Sequence, residues 1–302
     1  ALTRPSSCSV STSLRVSRRR IELLSILSFT VGFRYYGQPI KSRIAVRERA
    51  LITDPWFYVV AIPAVLLFGI SKGGFGGGLG VAAVPLMALV ISPVQAAAVM
   101  LPILCVMDLF AIRRFRGRWV WPELKVLVPA SLLGIAIGTL LFGYLSAAAI
   151  RLIVGIVAIS FTVHYWYGLW RPAAAANGNF PRPYGVLGGG VAGFTSFVAH
   201  AGGPPVNMYL LRRSLNRTEF VATTVLFFAV VNYVKLIPYG WLGQLDTSNL
   251  LTAAVLLPLA PVGVEIGHFL HHRISDRFFF RLTYVLLFVV GCKLIYDGIA
   301  GL

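Results

Sequence analysis

A lysine lies within a glycine-rich stretch between two apolar runs. The stretch is GISKGGFGGGLG, residues 69–80. Glycine lets the backbone turn with a positive φ and approach a ligand closely, and a helix that begins after glycines points its N–H groups at an anion. The candidate anion ligands here are Lys72, Gly76, Gly77 and Gly78. The alternative is that Lys72 extends to the membrane interface and the glycines allow close helix packing.

A second stretch, TSFVAHAGGPPVNMYL at 195–210, has a similar character. Its two prolines, Pro204 and Pro205, prevent one continuous helix, and Pro204 suits the first turn of a new one. His200 could donate to an anion or pass a proton, or it could be a neutral side chain bonded to a freed carbonyl. The candidate ligands in this stretch are Ser196, His200, Gly202, Gly203 and Asn207.

Further charged side chains interrupt the apolar segments. Asp108 and Glu265 are candidates for a carboxylate that couples proton movement to transport. Opposite charges inside a membrane commonly pair, so the alternative for Glu265 is a structural bridge to Lys235. The histidines of HFLHH, 268–272, have no carboxylate or cysteine beside them and lead into a basic loop, which favours an interfacial position. We expect no catalytic residue, no metal and no cofactor.

The composition is that of a polytopic membrane protein. Of 302 residues, 57% are hydrophobic and 12% charged, with a mean hydropathy of +0.79, whereas soluble domains carry about 25% charged residues. The apolar runs approach the roughly 20 residues needed to span a bilayer. Net charge is +17, yet this apolar content excludes nucleic-acid binding as the main function. The expected surroundings are the lipid bilayer and a small anionic substrate.

The chain contains an internal repeat at an offset of about 124 residues. Gly69 corresponds to Gly193, and Asp108 corresponds to Asn232. Each half has five apolar segments, of which the first two are short and separated by glycine, so we expect half-helices. The segments are 55–71, 79–92, 95–112, 122–144 and 147–169, then 184–199, 204–211, 218–238, 249–270 and 277–299. Short interrupted segments at matching places in two halves are typical of a transporter binding site.

Loop charges indicate that the two halves are inverted. The loop after the third segment is RRFRGR (113–118) in the first half and YGWLGQLDTS (239–248) in the second. The loop before the third segment is uncharged in the first half and RRSLNRT (212–218) in the second. Because arginine-rich loops lie in the cytoplasm, equivalent loops lie on opposite sides of the membrane. We therefore predict an all-α fold of two inverted repeats with about eight to ten membrane segments.

The predicted organisation has four parts. Residues 1–50, with ten basic and two acidic residues, are expected to be a disordered or misassigned extension. The first membrane repeat covers 51–170, a cytoplasmic linker rich in Pro, Gly and Ala covers 171–183, and the second repeat covers 184–302.

The glycine-rich breaks followed by proline resemble a known family. GGGLGVAAVPLMAL (76–89) and, more loosely, HAGGPPVNMYL (200–210) are similar to motifs of the TauE/SafE sulfite exporters, also called toluene-sulfonate uptake permeases. The resemblance covers about 56–300. It implies transport of sulfite, sulfonates or related sulfur anions across a bacterial inner membrane. An inverted-repeat secondary transporter working by alternating access is expected, and both a monomer and a homo-oligomer are open. The alternatives are an uncoupled anion channel and a non-transporting subunit of a larger complex.

Overall fold

The computed structural model describes residues 51–75, 80–170, 181–270, 273 and 276–301, and these form helices and short connections. The predictions for residues 1–50, for Gly76, Gly77 and Gly78, and for most of the linker lie outside them. The helices are α1 (Pro55–Gly74), a 3₁₀ turn (Gly80–Ala82), α2 (Ala83–Met87), α3 (Pro93–Arg114), α4 (Trp121–Phe142), α5 (Ala147–Trp170), α6 (Arg182–Ala199), α7 (Gly203–Leu210), α8 (Arg217–Trp241), α9 (Thr247–Leu256), α10 (Leu259–Leu270) and α11 (Asp276–Ala300).

Local signals place the helix ends. The side chain of Asp54 caps α1 and that of Ser92 caps α3, in each case just before a proline in the first turn. At the start of α8, Asn216 and Glu219 form a reciprocal capping box. Every predicted segment contains helix in the described residues, although in the segment 79–92 the helix ends at Met87. The predicted segment 249–270 is divided into α9 and α10, which are bent by 44° where Pro258 interrupts the helix.

Five helices are long and apolar enough to cross a membrane. They are α1, α3, α4, α8 and residues 147–167 of α5, and the bent α9–α10 pair would be a sixth span. The described part of the chain is therefore that of a multi-pass helical membrane protein.

The first arm of each hairpin is longer than expected. α1 has 20 residues and α6 has 18, which correspond to about 30 Å and 27 Å, so the prediction of half-helices is wrong for these two. It holds for the second arms, α2 with 5 residues and α7 with 8. Both chain breaks occur near the expected places, because α1 ends at Gly74 and α6 ends at Ala199.

Two helix pairs run parallel and in very close contact. In the α1–α10 pair, a Cβ on Gly69 would lie 2.8 Å from Cα of Gly263, and one on Gly73 would lie 2.0 Å from the carbonyl oxygen of Val264. The α4–α6 pair is equally tight: a Cβ on Gly193 would lie 2.1 Å from the carbonyl oxygen of Ser131. These glycines allow backbone-to-backbone contact that any larger residue would prevent.

Two other helix pairs run antiparallel. Along α5 and α11, Tyr165 stacks on Tyr284 with ring centroids 4.1 Å apart, while Leu152 lies near Gly298. The α3–α8 pair is joined by hydrogen bonds. Asn232 donates to Asp108, and the backbone N–H of Val120, just beyond α3, donates to Thr223. The α3–α8 pair also contacts both hairpins, α1–α2 and α6–α7.

Candidate anion site

Each hairpin is held closed by a hydroxyl side chain next to its break. In the first, Ser71 Oγ accepts a hydrogen bond of 3.1 Å from the N–H of Gly80. In the second, the single hydroxyl hydrogen of Thr195 is shared between the carbonyl of Ala201, 3.1 Å away, and that of Val191 on its own helix, 2.8 Å away. Ser71 and Thr195 are 124 residues apart, at the offset of the repeat. The residues that follow them, Lys72 and Ser196, therefore occupy equivalent places.

Lys72 forms a buried ion pair with Asp108. Its Nζ donates to one carboxylate oxygen of Asp108 and, over 3.4 Å, to the carbonyl of Leu104. The other carboxylate oxygen accepts from the side-chain amide of Asn232 over 2.7 Å. Among the residues that the structure covers, Lys72 thus contacts two acceptors, and one of its three ammonium hydrogens remains for a further partner.

A second buried lysine, Lys235, belongs to the other hairpin. Its Nζ lies 3.0 Å from the carbonyl oxygen and 2.9 Å from the hydroxyl of Ser196, and 2.6 Å from Nδ1 of His200. The other ring nitrogen of His200, Nε2, lies 2.9 Å from the carbonyl oxygen of Ala97. Lys235 therefore contacts neutral groups within the described structure.

His200 has an unusual backbone conformation. It caps α6 with a φ of 51°, in the left-handed region where helices usually end on glycine. A non-glycine residue pays a conformational cost there. The imidazole is in return directed to two partners on different helices, Ala97 of α3 and Lys235 of α8. The strained backbone of His200 thus coincides with an imidazole that is held in place by contacts to two helices.

The buried cluster comprises Lys72, Asp108, Ser196, His200, Asn232 and Lys235. Asp108 and Lys235 have no solvent exposure, and Lys72 is 2% exposed. With both lysines and Asp108 ionised and His200 neutral, the cluster has one unbalanced positive charge. The cavity between these side chains is about 10 Å³, barely enough for one water molecule.

A larger cavity lies beside the buried cluster. Its volume is about 650 Å³, and it follows α7 from Pro204 to the arginine-rich loop 212–218. Gly74 and Pro204 line this cavity, while Lys72 and Gly203 line the small one, so neighbouring residues of the same hairpins border both. Its other lining residues include Asn207, Arg213, Arg217 and Tyr284. Asn207 Oδ1 is buried there and has no hydrogen-bond partner among the described residues.

The structure brings together some predicted residues and separates others. Lys72, Asp108, Ser196 and His200 meet in the cluster, and Gly203 lines its cavity. Gly202 packs against Ser196, whereas Asn207 faces the larger cavity. The predicted Lys235–Glu265 bridge is wrong, because Glu265 accepts from Arg114 over 3.1 Å at a half-exposed position. Glu265 is therefore outside the cluster, and its proposed proton role stays a prediction.

Sequence reasoning did not assign Asn232 and Lys235 to the site. Asn232 was recognisable as the repeat equivalent of Asp108, and Lys235 follows it by three residues, on the same face of a helix. A lysine and an asparagine one turn apart in an apolar segment are a signal that could have identified them.

The described residues form eleven helices, five or six of them suited to crossing a bilayer, and the charged cluster is buried within this multi-pass membrane protein. The sulfite exporter TauE/SafE family model matches residues 61–294, and the chain belongs to that family of membrane transporters. The resemblance seen in the glycine-rich motifs is thereby confirmed.

A curated relative agrees with the family match. The chain is similar to a protein of Cupriavidus necator named "Probable sulfite/organosulfonate exporter TauE". Identity is 24% over 191 residues, which cover 60% of this chain and 70% of that protein. No solved structure matches the chain significantly.

Proposed function

We propose that this protein is a secondary transporter that exports sulfite or an organosulfonate across the bacterial inner membrane, and that the buried cluster binds the anion. The observation that carries the proposal is the burial of two lysines, Lys72 and Lys235, with one aspartate, Asp108, away from water. An isolated charge in a membrane protein interior is costly and marks a transport site by default. A bound anion would neutralise it. Family membership and the name of the C. necator relative supply the substrate class.

The two halves are proposed to be inverted repeats. Equivalent helices α3 and α8 contact each other and run antiparallel, as do α5 and α11. The remaining close pairs join the first segment of one half to the fourth segment of the other. α1 contacts α10, and the equivalent helix α6 contacts α4. This pattern is expected of a two-fold axis in the membrane plane, because an axis along the membrane normal would make equivalent helices parallel.

The inverted arrangement predicts the sides of two equivalent loops. In a background lacking Cys8, Cys105 and Cys292, a cysteine is placed at exposed Arg116 or at exposed Trp241, after the third helix of each half. A membrane-impermeant thiol reagent should label Trp241→Cys in intact cells and Arg116→Cys only after the membrane is permeabilised. Labelling of both from the same side would contradict the inverted repeat.

The larger cavity is the proposed route between the cytoplasm and the cluster. It is bordered by the arginine-rich loop that contains Arg213 and Arg217, which the positive-inside rule assigns to the cytoplasm. The tight packing of the cluster supports a transporter over an open channel, because an anion must displace side chains to enter. Rocking of one repeat against the other would then open the site to the outside, giving alternating access.

Reconstitution into liposomes tests the proposed function. Vesicles containing the purified protein should release trapped sulfite faster than empty vesicles, and the rate should saturate with internal sulfite because a binding site is occupied. An uncoupled channel would give flux that rises without saturation. Release no faster than from empty vesicles would contradict transport of sulfite.

A further inference from the structure

The hydrogen bonds of His200 fix its proton at one nitrogen. A backbone carbonyl can only accept, so Nε2, 2.9 Å from the oxygen of Ala97, carries the ring hydrogen. Nδ1 is 2.6 Å from Nζ of Lys235, so one hydrogen bond joins the two atoms, in which a neutral ring accepts and an imidazolium would donate. We take the ring as neutral and Lys235 as charged, because an ammonium group can donate to all three of its contacts.

Lys235 has three hydrogen-bond partners that match its three hydrogens. They are the carbonyl oxygen of Ser196, the hydroxyl oxygen of Ser196 and Nδ1 of His200, all within 3.0 Å. Lys235 and His200 together hold one charge. With the Lys72–Asp108 pair, the cluster therefore has a net charge of +1.

We propose that this charge makes the site selective for monoanions, and that a dianion binds only with one additional proton, accepted by Nδ1 of His200. This inference rests on the proposed function. A monoanion, such as hydrogensulfite or an alkylsulfonate, neutralises the cluster without any proton change. A dianion would leave one negative charge in the membrane interior, which is costly.

His200 is the acceptor that anion binding releases. When Lys235 turns from His200 to an anion, Nδ1 loses its donor and is free to take a proton. Both oxygens of Asp108, by contrast, already accept from Lys72 and Asn232, and protonation would break one of those bonds. The titratable side chains around His200 and Lys235 in the described structure are Lys72 on α1, Cys105 and Asp108 on α3, and Tyr239 on α8.

Two anions of fixed charge test whether a monoanion and a dianion bind with different proton uptake. Methanesulfonate is a monoanion and sulfate a dianion throughout the neutral range. Each is titrated into the purified full-length protein by calorimetry, in two cationic buffers of different ionisation enthalpy, because sulfonate buffers would compete. We expect about one proton to be taken up per sulfate bound and none per methanesulfonate bound. In the pH range where His200 of the unbound protein is neutral, sulfate affinity should fall about tenfold for each unit of rising pH.

His200→Asn identifies the acceptor, because asparagine also tolerates the left-handed backbone at this position. The variant should take up no proton with sulfate, while His268→Asn, at a half-buried histidine that lines neither cavity, should behave as the unmodified protein. Proton uptake that persists in His200→Asn, uptake with methanesulfonate, or sulfate binding without uptake would each overturn the inference. If methanesulfonate binds and sulfate does not bind at any pH, the inference about dianions is overturned and the proposed function stays intact. If neither anion binds, the inference and the proposed function are both overturned.

Discussion

Replacing Lys72 with methionine should reduce sulfite release from vesicles by a factor on the order of a hundred or more. The substitution removes the unbalanced positive charge of the cluster and the ammonium hydrogen that is available to an anion. It also leaves Asp108 buried without its cation, which costs about 3–5 kcal/mol of stability. The measurements are initial release rates and thermal unfolding of the purified variant.

The double variant Lys72→Met, Asp108→Asn separates charge from folding. It removes both members of the ion pair, so no buried carboxylate is stranded, while Lys235 still supplies one positive charge. We expect thermal stability to recover relative to Lys72→Met, together with part of the release rate. A single Lys72→Met variant that transports normally would remove Lys72 from the site.

Replacing Lys235 with methionine should reduce sulfite release about as much as Lys72→Met does, with a smaller loss of stability. The partners of Lys235, Ser196 and His200, are neutral, so the substitution leaves unpaired dipoles rather than a stranded charge. A buried unsatisfied polar group costs about 1–3 kcal/mol. The unmodified protein should therefore unfold at the highest temperature, followed by Lys235→Met and then Lys72→Met.

The comparison of the two lysine variants is the control for each. The methionine side chain is similar in length to the lysine it replaces, and both positions are buried. A difference in stability between the two variants therefore reports the buried carboxylate beside Lys72. Normal transport by Lys235→Met would show that Lys235 has only a structural role. Equal destabilisation of the two variants would contradict the proposed charge distribution.

The sequence predicted the order of the helices because apolar segments, prolines and capping residues are local signals. It misjudged the end of α1, since glycines near the break suggested an earlier end. Gly73 instead lies inside α1, where it allows contact with the backbone of α10. A glycine that ends a helix and one that lets two helices touch have the same local pattern, and only the tertiary contact distinguishes them.

The candidate site was predicted in part for a related reason. Lys72, Ser196 and His200 lie at helix breaks, which sequence patterns indicate. The partner of Lys235 depends on which helices are neighbours, and opposite charge alone suggested Glu265. Because α8 packs against α3 and the end of α6, Lys235 meets His200, while Glu265 on α10 is reached by Arg114.

An experimental structure with bound selenite tests the central claim most directly, because selenium locates a sulfite-like anion by anomalous scattering. We expect one ordered selenium position between the two hairpins, with anion oxygens in hydrogen-bond contact, about 2.7–2.9 Å, with Nζ of Lys72 and of Lys235. Selenium found only along the arginines of the larger cavity, with the cluster closed as it is here, would contradict it.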